Sequence, residues 1–152
     1  MQITFPSGTR DTIENIINAI GRPVTFVTST VSGCYNCSLD PVTDTSTDSF
    51  CAVCSGVYWI HTWSGYDITA HITWKFADKD DWTTGGLTFL GDGIVKIMYS
   101  GPYMDIVDST DYIVVDGKQA NIEKVTLLGV PSINRIILDF KERNKEDDNS
   151  TF

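Results

Sequence analysis

All four cysteines of the chain fall in one stretch, CYNCSLDPVTDTSTDSFCAVC, residues 34–54. The spacing is Cys34-x2-Cys37, a polar, threonine-rich loop, then Cys51-x2-Cys54. A CxxC turn places two sulfurs on one side of a tight knuckle. Two such knuckles closed by a loop complete a tetrahedron of soft ligands, the coordination that Zn²⁺ prefers. Gly33 before the first knuckle and Ser55-Gly56 after the second are small. They let backbone N–H groups turn towards the thiolates, an outer shell that stabilises metal-bound sulfur. Disulfides would require an oxidising compartment. The start of the chain, MQITFPSGTRDTIENII, lacks the basic region and apolar run of a secretory leader, so folding in a reducing cytosol is expected. A thioredoxin-type redox motif calls for one CxxC in a βαβ setting, and neither condition is met. The expectation is a structural zinc site built by Cys34, Cys37, Cys51 and Cys54. Four thiolates leave no open position, which a catalytic zinc keeps for water.

The remaining sequence is rich enough to build its own core. The chain has 152 residues, 41 % of them hydrophobic, which suits one domain and excludes a disordered tail protein. Lys and Arg number 11 against 20 Asp and Glu, for a net charge of −9. Phosphate backbones are gripped by clustered Lys and Arg, so nucleic-acid binding as the main activity and binding to anionic membranes are disfavoured. No apolar run approaches the ~20 residues that cross a bilayer.

In DTIENIINAIGRP, residues 11–23, Ile13, Ile16, Ile17 and Ile20 recur at helical spacing. Asp11 is the expected cap with Glu14 three places on, and Gly21 and Pro23 end the helix. PVTFVTSTV reads as a strand, and strand signals resume after the cysteines in VYWIHTWSG and YDITAHITWKFAD. In the last, Ile68, Ala70, Ile72, Trp74 and Phe76 share one face. GLTFLGDGIVKIMYS gives a further strand or two, Asp116-Gly117 marks a hairpin, and GVPSINRIILDFKER closes with a turn and a final strand. One short helix with six to eight strands implies an all-β barrel or sandwich. The expected layout is a single β domain over 1–143, a zinc-binding insertion at about 31–57, and a disordered polar tail over 144–152.

No catalytic constellation emerges. His61 lies between Trp59 and Trp63, and His71 could pair with Asp67 as a general base. No nucleophile has a suitable setting, and a surface or packed histidine is the preferred reading of both. GGLTFLGDG lacks the Lys-Ser/Thr ending of a phosphate loop, and Asp78, Asp80 and Asp81 lack the spacing of a Ca²⁺ loop. Trp74 is expected in the core. Trp59, Trp63 and Trp82 are candidate partner contacts, because tryptophan is enriched at binding hot spots.

Two stretches resemble a known family. DYIVVDGKQANIEKVTLLGVPSINRIILDFKER is similar to the closing strands of bacteriophage head-completion proteins, also called head-closure, stopper or head–tail connector proteins. GRPVTFVTSTVSGCYNCSLDPVTDTSTDSFCAVCSGVYWI resembles the zinc-knuckle insertion of some phage neck proteins, with Asp40-Pro41-Val42-Thr43 and Tyr58-Trp59 matching. The resemblance implies a small, mainly β barrel with one N-terminal helix and an inserted four-cysteine zinc knuckle. It also implies a homo-oligomeric ring beneath the portal and adaptor of a tailed phage. Such a ring sits in the virion neck, is assembled in the host cytoplasm, retains packaged DNA without sequence-specific binding and docks the tail. It carries no catalytic residues. The alternative is a cytosolic zinc-ribbon module that binds protein, since no Lys or Arg stands between Gly33 and Gly56.

Overall fold

The computed structural model describes residues 8–75, 81–83, 86–88 and 91–143, with the backbone alone for 81–83 and 86–88. The order is α1 (Thr9–Ile20), β1 (Arg22–Gly33), β2 (Leu39–Asp40), β3 (Thr45–Ser46), β4 (Trp59–Lys75), β5 (Asp81–Thr83), β6 (Gly86–Thr88), β7 (Asp92–Met98), α2 (Gly101–Asp108), β8 (Tyr112–Val115), β9 (Lys118–Leu128) and β10 (Arg135–Glu142). The fold is mainly β, with a closed barrel of six strands in the order β1-β4-β7-β10-β9-β8. By internal contacts the chain divides into two compact units, Met1–Val27 with Gly65–Phe152, and Thr28–Ser64. The insertion bounds read from the sequence, about 31–57, fall inside the second.

In the first unit, strand alternation builds the core. β7 and β10 bury every second side chain, including Val95, Ile97, Ile136, Leu138 and Phe140, as strands with one face inward must. On β4, Ile68, Ala70 and Ile72 are buried and Trp74 packs against them. Phe76 lies outside the described residues. Trp74 meets Phe140 edge to face at 5.0 Å, and its indole N–H donates to Asp116 at 2.8 Å. The β8–β9 hairpin turns at Asp116 and Gly117, both with positive φ (50° and 79°), the type I′ geometry that follows strand twist. Between Asp139 and Phe140 the β9–β10 register slips by one residue, a bulge that locally increases twist and aids closure.

Several sequence expectations are corrected. Helix α1 begins at Thr9 with Gly8 as its cap and no side-chain capping bond. Asp11 is therefore not the cap; it sits in the first turn, where a carboxylate favours the helix dipole. The segments VYWIHTWSG and YDITAHITWKFAD are not separate strands, because β4 runs unbroken through Gly65. A second helix, α2, was not expected. The Ser100 side chain caps it by accepting from Tyr103 N–H at 3.2 Å, and Pro102 fits its first turn. Val107 from α2 is buried in the barrel core, with Met104 and Ile106 packed beside it. The expectations for Asp78, Asp80 and the tail over 144–152 lie outside the described residues. Among the described residues no helix is long and apolar enough to cross a membrane.

Candidate metal centre

The second unit is held around its thiols. The Thr28 and Ser64 hydroxyls share a hydrogen bond at 3.0 Å, and Cys34 N–H donates to the Tyr58 carbonyl at 2.8 Å. These contacts close the neck of the loop and present the first knuckle at the end of β1. The two-residue strands β2 and β3 pair beyond it. Their turn is organised by Asp40, whose carboxylate accepts from Val42 N–H at 2.9 Å. That bond, with the Thr43 hydroxyl, holds the Asp40 carboxyl below its ordinary range. Turn chemistry of this kind is what an Asp-Pro start supplies.

The four sulfurs converge. Cys34 and Cys51 Sγ lie 3.8 Å apart, Cys37 and Cys54 Sγ lie 3.5 Å apart, and all four fall within 4.8 Å of one another. A metal about 2.3 Å from each of four sulfurs sets them about 3.8 Å apart in a tetrahedron. A disulfide needs about 2.05 Å, and all four cysteines are free. Cys34, Cys51 and Cys54 are buried and Cys37 is half-buried, so the donors point inward together. The residues present therefore fit a metal ion held by four thiolates.

The outer shell is uneven. The second knuckle directs its own backbone inward: Cys54 and Val53 N–H groups face the Cys51 sulfur. With an Asn36 side-chain N–H at 3.7 Å, they pull the Cys51 thiol down to about 6 against the opposing effect of burial. For Cys54, burial acts to raise its pKa, but the Tyr58 N–H and the Cys37 thiol outweigh it and the net direction is down. Cys37 is the counterpart. The Ser46 hydroxyl acts to lower its pKa, but burial and the three neighbouring thiols push it up to about 12. Like groups crowded together cannot all ionise without a cation among them. Gly56 is required here on two counts: its φ is +84°, and a Cβ would sit 2.8 Å from the Ser49 carbonyl.

The sequence singled out the four cysteines that the structure gathers and the small residues beside them. It did not anticipate Ser46, buried at the centre of the loop, or Tyr58, whose backbone serves both knuckles. Asn36 was legible in principle as a side-chain donor inside a CxxC turn. Trp59 and Trp63 are exposed on β4, on the same side as exposed His61. Tyr35 and Phe50, next to Cys34 and Cys51, are 86 % and 95 % exposed. Trp82 stands in β5, and its side chain is outside what is described. Asp67 and His71 are not brought together, since four residues of strand separate them by about 13 Å and the Asp67 carboxylate instead accepts from the Thr25 hydroxyl.

Fold and site define a β-barrel protein with a four-cysteine cluster fit to hold a metal ion. The chain matches no protein-family model and no curated protein.

Proposed function

We propose that the metal is Zn²⁺ and that the protein is a non-catalytic structural component of a tailed-phage neck. In this reading it forms a ring beneath the portal and adaptor, closes the head, retains DNA and docks the tail. One observation carries the interaction role: a closed four-thiol donor set clamps a loop whose exposed large side chains are aromatic or aliphatic. A site with no open position favours structure over chemistry. Metal fixes the shape of a loop that has little apolar core of its own, and a rigid loop loses less entropy on docking. Residues 28–64 carry Asp40, Asp44 and Asp48 and no Lys or Arg, so the surface suits a protein partner better than a nucleic acid. The resemblance in the closing strands and the knuckle supports the phage setting. A net charge of −9 suits a lumen that lets DNA slide rather than gripping it.

Purified protein mixed with portal–adaptor assemblies should add a ring of density visible by electron microscopy. A protein that stays monomeric and leaves those assemblies unchanged would refute the neck role. That result would favour the zinc-ribbon binding module, a reading helped by the compactness of Thr28–Ser64 as a unit.

A further inference from the structure

Strand register puts three nitrogen-bearing side chains on one outer patch of the barrel. His71 on β4 pairs with Lys96 on β7, and Lys96 pairs with Ile137 on β10. Arg135 lies two residues from Ile137 and so shares its face. Directly opposed residues have Cβ atoms about 5 Å apart and diagonal neighbours about 7–8 Å. Helix α1 borders the same patch. Its Ile13, Ile16, Ile17 and Ile20 form, with His71, Lys96 and Arg135, a groove of about 190 Å³. Ile17 is buried at its base, while Ile16 and Ile20 are 52 % and 57 % exposed.

The groove has a distinctive chemistry for this molecule. The chain is strongly acidic, yet no carboxylate stands among the described residues that line this groove. Three cations elsewhere are paired with carboxylates: Arg22 with Asp116, Lys75 with Asp139 and Lys118 with Glu142. Among the described residues, Lys96 and Arg135 make no ion pair, and the buried Arg135 Nε has no hydrogen-bond partner. Burying an unpaired charged donor is costly, so the groove is complementary to an anion.

Its size selects the kind of anion. Pockets that enclose small-molecule ligands usually measure about 300–1,000 Å³. A cavity of about 150 Å³ already admits a benzene ring. The groove thus accepts one aromatic or aliphatic side chain between isoleucines, with carboxylates meeting the cations at its rim.

We propose that this groove is a docking site for an acidic peptide segment of a partner protein, anchored by one large apolar side chain. The apolar anchor fills the space between Ile16, Ile17 and Ile20, and flanking Asp or Glu side chains pair with Lys96 and Arg135. The inference does not depend on the metal centre or on the neck role.

The test uses the full chain, metal-loaded, and a fluorescent heptapeptide with one Phe between two acidic triplets. Anisotropy should show saturable binding that weakens as salt rises. Replacing the Phe by Ala, or the acids by Gln, should weaken it at least tenfold. Lys96→Glu and Ile16→Asp, both at partly exposed sites that tolerate change, should each do the same, and Arg135→Gln is the third arm. Equal binding of the Gln-substituted peptide, or no effect of Lys96→Glu and Ile16→Asp in folded protein, overturns the proposal. So does failure of the acidic peptide to bind at all. Competition by 3-phenylpropionate as effective as by the peptide also overturns it, since the site would then serve a small carboxylic acid.

Discussion

In the barrel unit the large side chains below 2 % exposure are Phe26, Phe140, Ile97, Ile113, Ile136, Leu138, Val24, Val95 and Val115. In Thr28–Ser64 the buried side chains are Thr28, Cys34, Ser46, Cys51 and Cys54. One unit is held by apolar area removed from water. The other is shorter than the about 40 residues below which disulfides, metals or oligomerisation are usually needed, and its only buried cluster is its thiols. The difference teaches that the two units should fail separately. Metal removal is the sharpest way to break the comparison, because structural zinc contributes on the order of 10–16 kcal/mol in isolated fingers. Elemental analysis should find about one zinc per chain. Chelation, or Cys34→Ser, should abolish amide-exchange protection across residues 34–57 and leave it intact in Val95–Met98 and Ile136–Phe140. Collapse of both would mean that the barrel leans on the metal.

The converse damage comes from the barrel. Phe140 is 1 % exposed and stacks edge to face on Trp74. Phe140→Ala removes the ring and leaves a cavity, a change that costs about 3–5 kcal/mol. Denaturant unfolding of the barrel should shift by that amount. Zinc affinity of the folded protein, measured by competition with a chromophoric chelator, should stay within twofold. A parallel loss of zinc affinity would show that the two units are energetically one.

The same contrast explains what could be read from residues alone. Period-2 alternation exposed the inward face of β4 because a closed barrel has one wet side and one dry side. The Asp-Gly turn at 116–117 was legible because few other residue pairs accept two positive φ angles. The thiol cluster was legible because paired CxxC turns are the spacing that a tetrahedral metal site calls for. Helix α2 was missed although Ser100-Gly101-Pro102 carries a start signal, since the helix is only eight residues long and its packing on the core decides its state. The start of α1 was misplaced because Gly8, a cap without a side chain, leaves no local mark. The cation groove was invisible in sequence: His71, Lys96 and Arg135 meet only through the register of three strands.

Proton linkage sharpens the comparison within the metal unit itself. A metal held by these four thiolates would compete with protons, so its affinity should fall as pH falls. In the metal-free protein Cys51 ionises at about 6 and Cys37 at about 12, against an ordinary 9.0. The lowered Cys51 contributes stability that is present above 9.0 and lost as pH falls through about 6. The raised Cys37 contributes the opposite way, fully below 9.0 and lost as pH rises through about 12. At pH 7 Cys51 is already a thiolate and Cys37 still a thiol. Calorimetry in buffers of different ionisation enthalpy should find fewer than four protons released per zinc at pH 7, and more at pH 5. Each proton makes affinity change about tenfold per pH unit. Four protons at pH 7, or an unchanged number at pH 5, would contradict the distribution of hydrogen bonds around the two sulfurs.

The smallest effects come from one local cap in each unit, and they divide in the same way. Ser100 Oγ accepts Tyr103 N–H at the start of α2, and Val107 of that helix sits in the barrel core. Ser100→Ala should cost about 1 kcal/mol and lower the barrel's thermal midpoint by about 2–4 °C, leaving zinc affinity unchanged. Asp40 does the equivalent for the β2–β3 turn through its bond to Val42 N–H. Asp40→Ala should leave the barrel's midpoint where it is and show only as faster amide exchange at Val42 to Asp44 and a modest rise in the zinc off-rate. If Asp40→Ala lowers the barrel's midpoint as Ser100→Ala does, the loop transmits its local order through β1 and β4, and the independence of the two units fails at its weakest link.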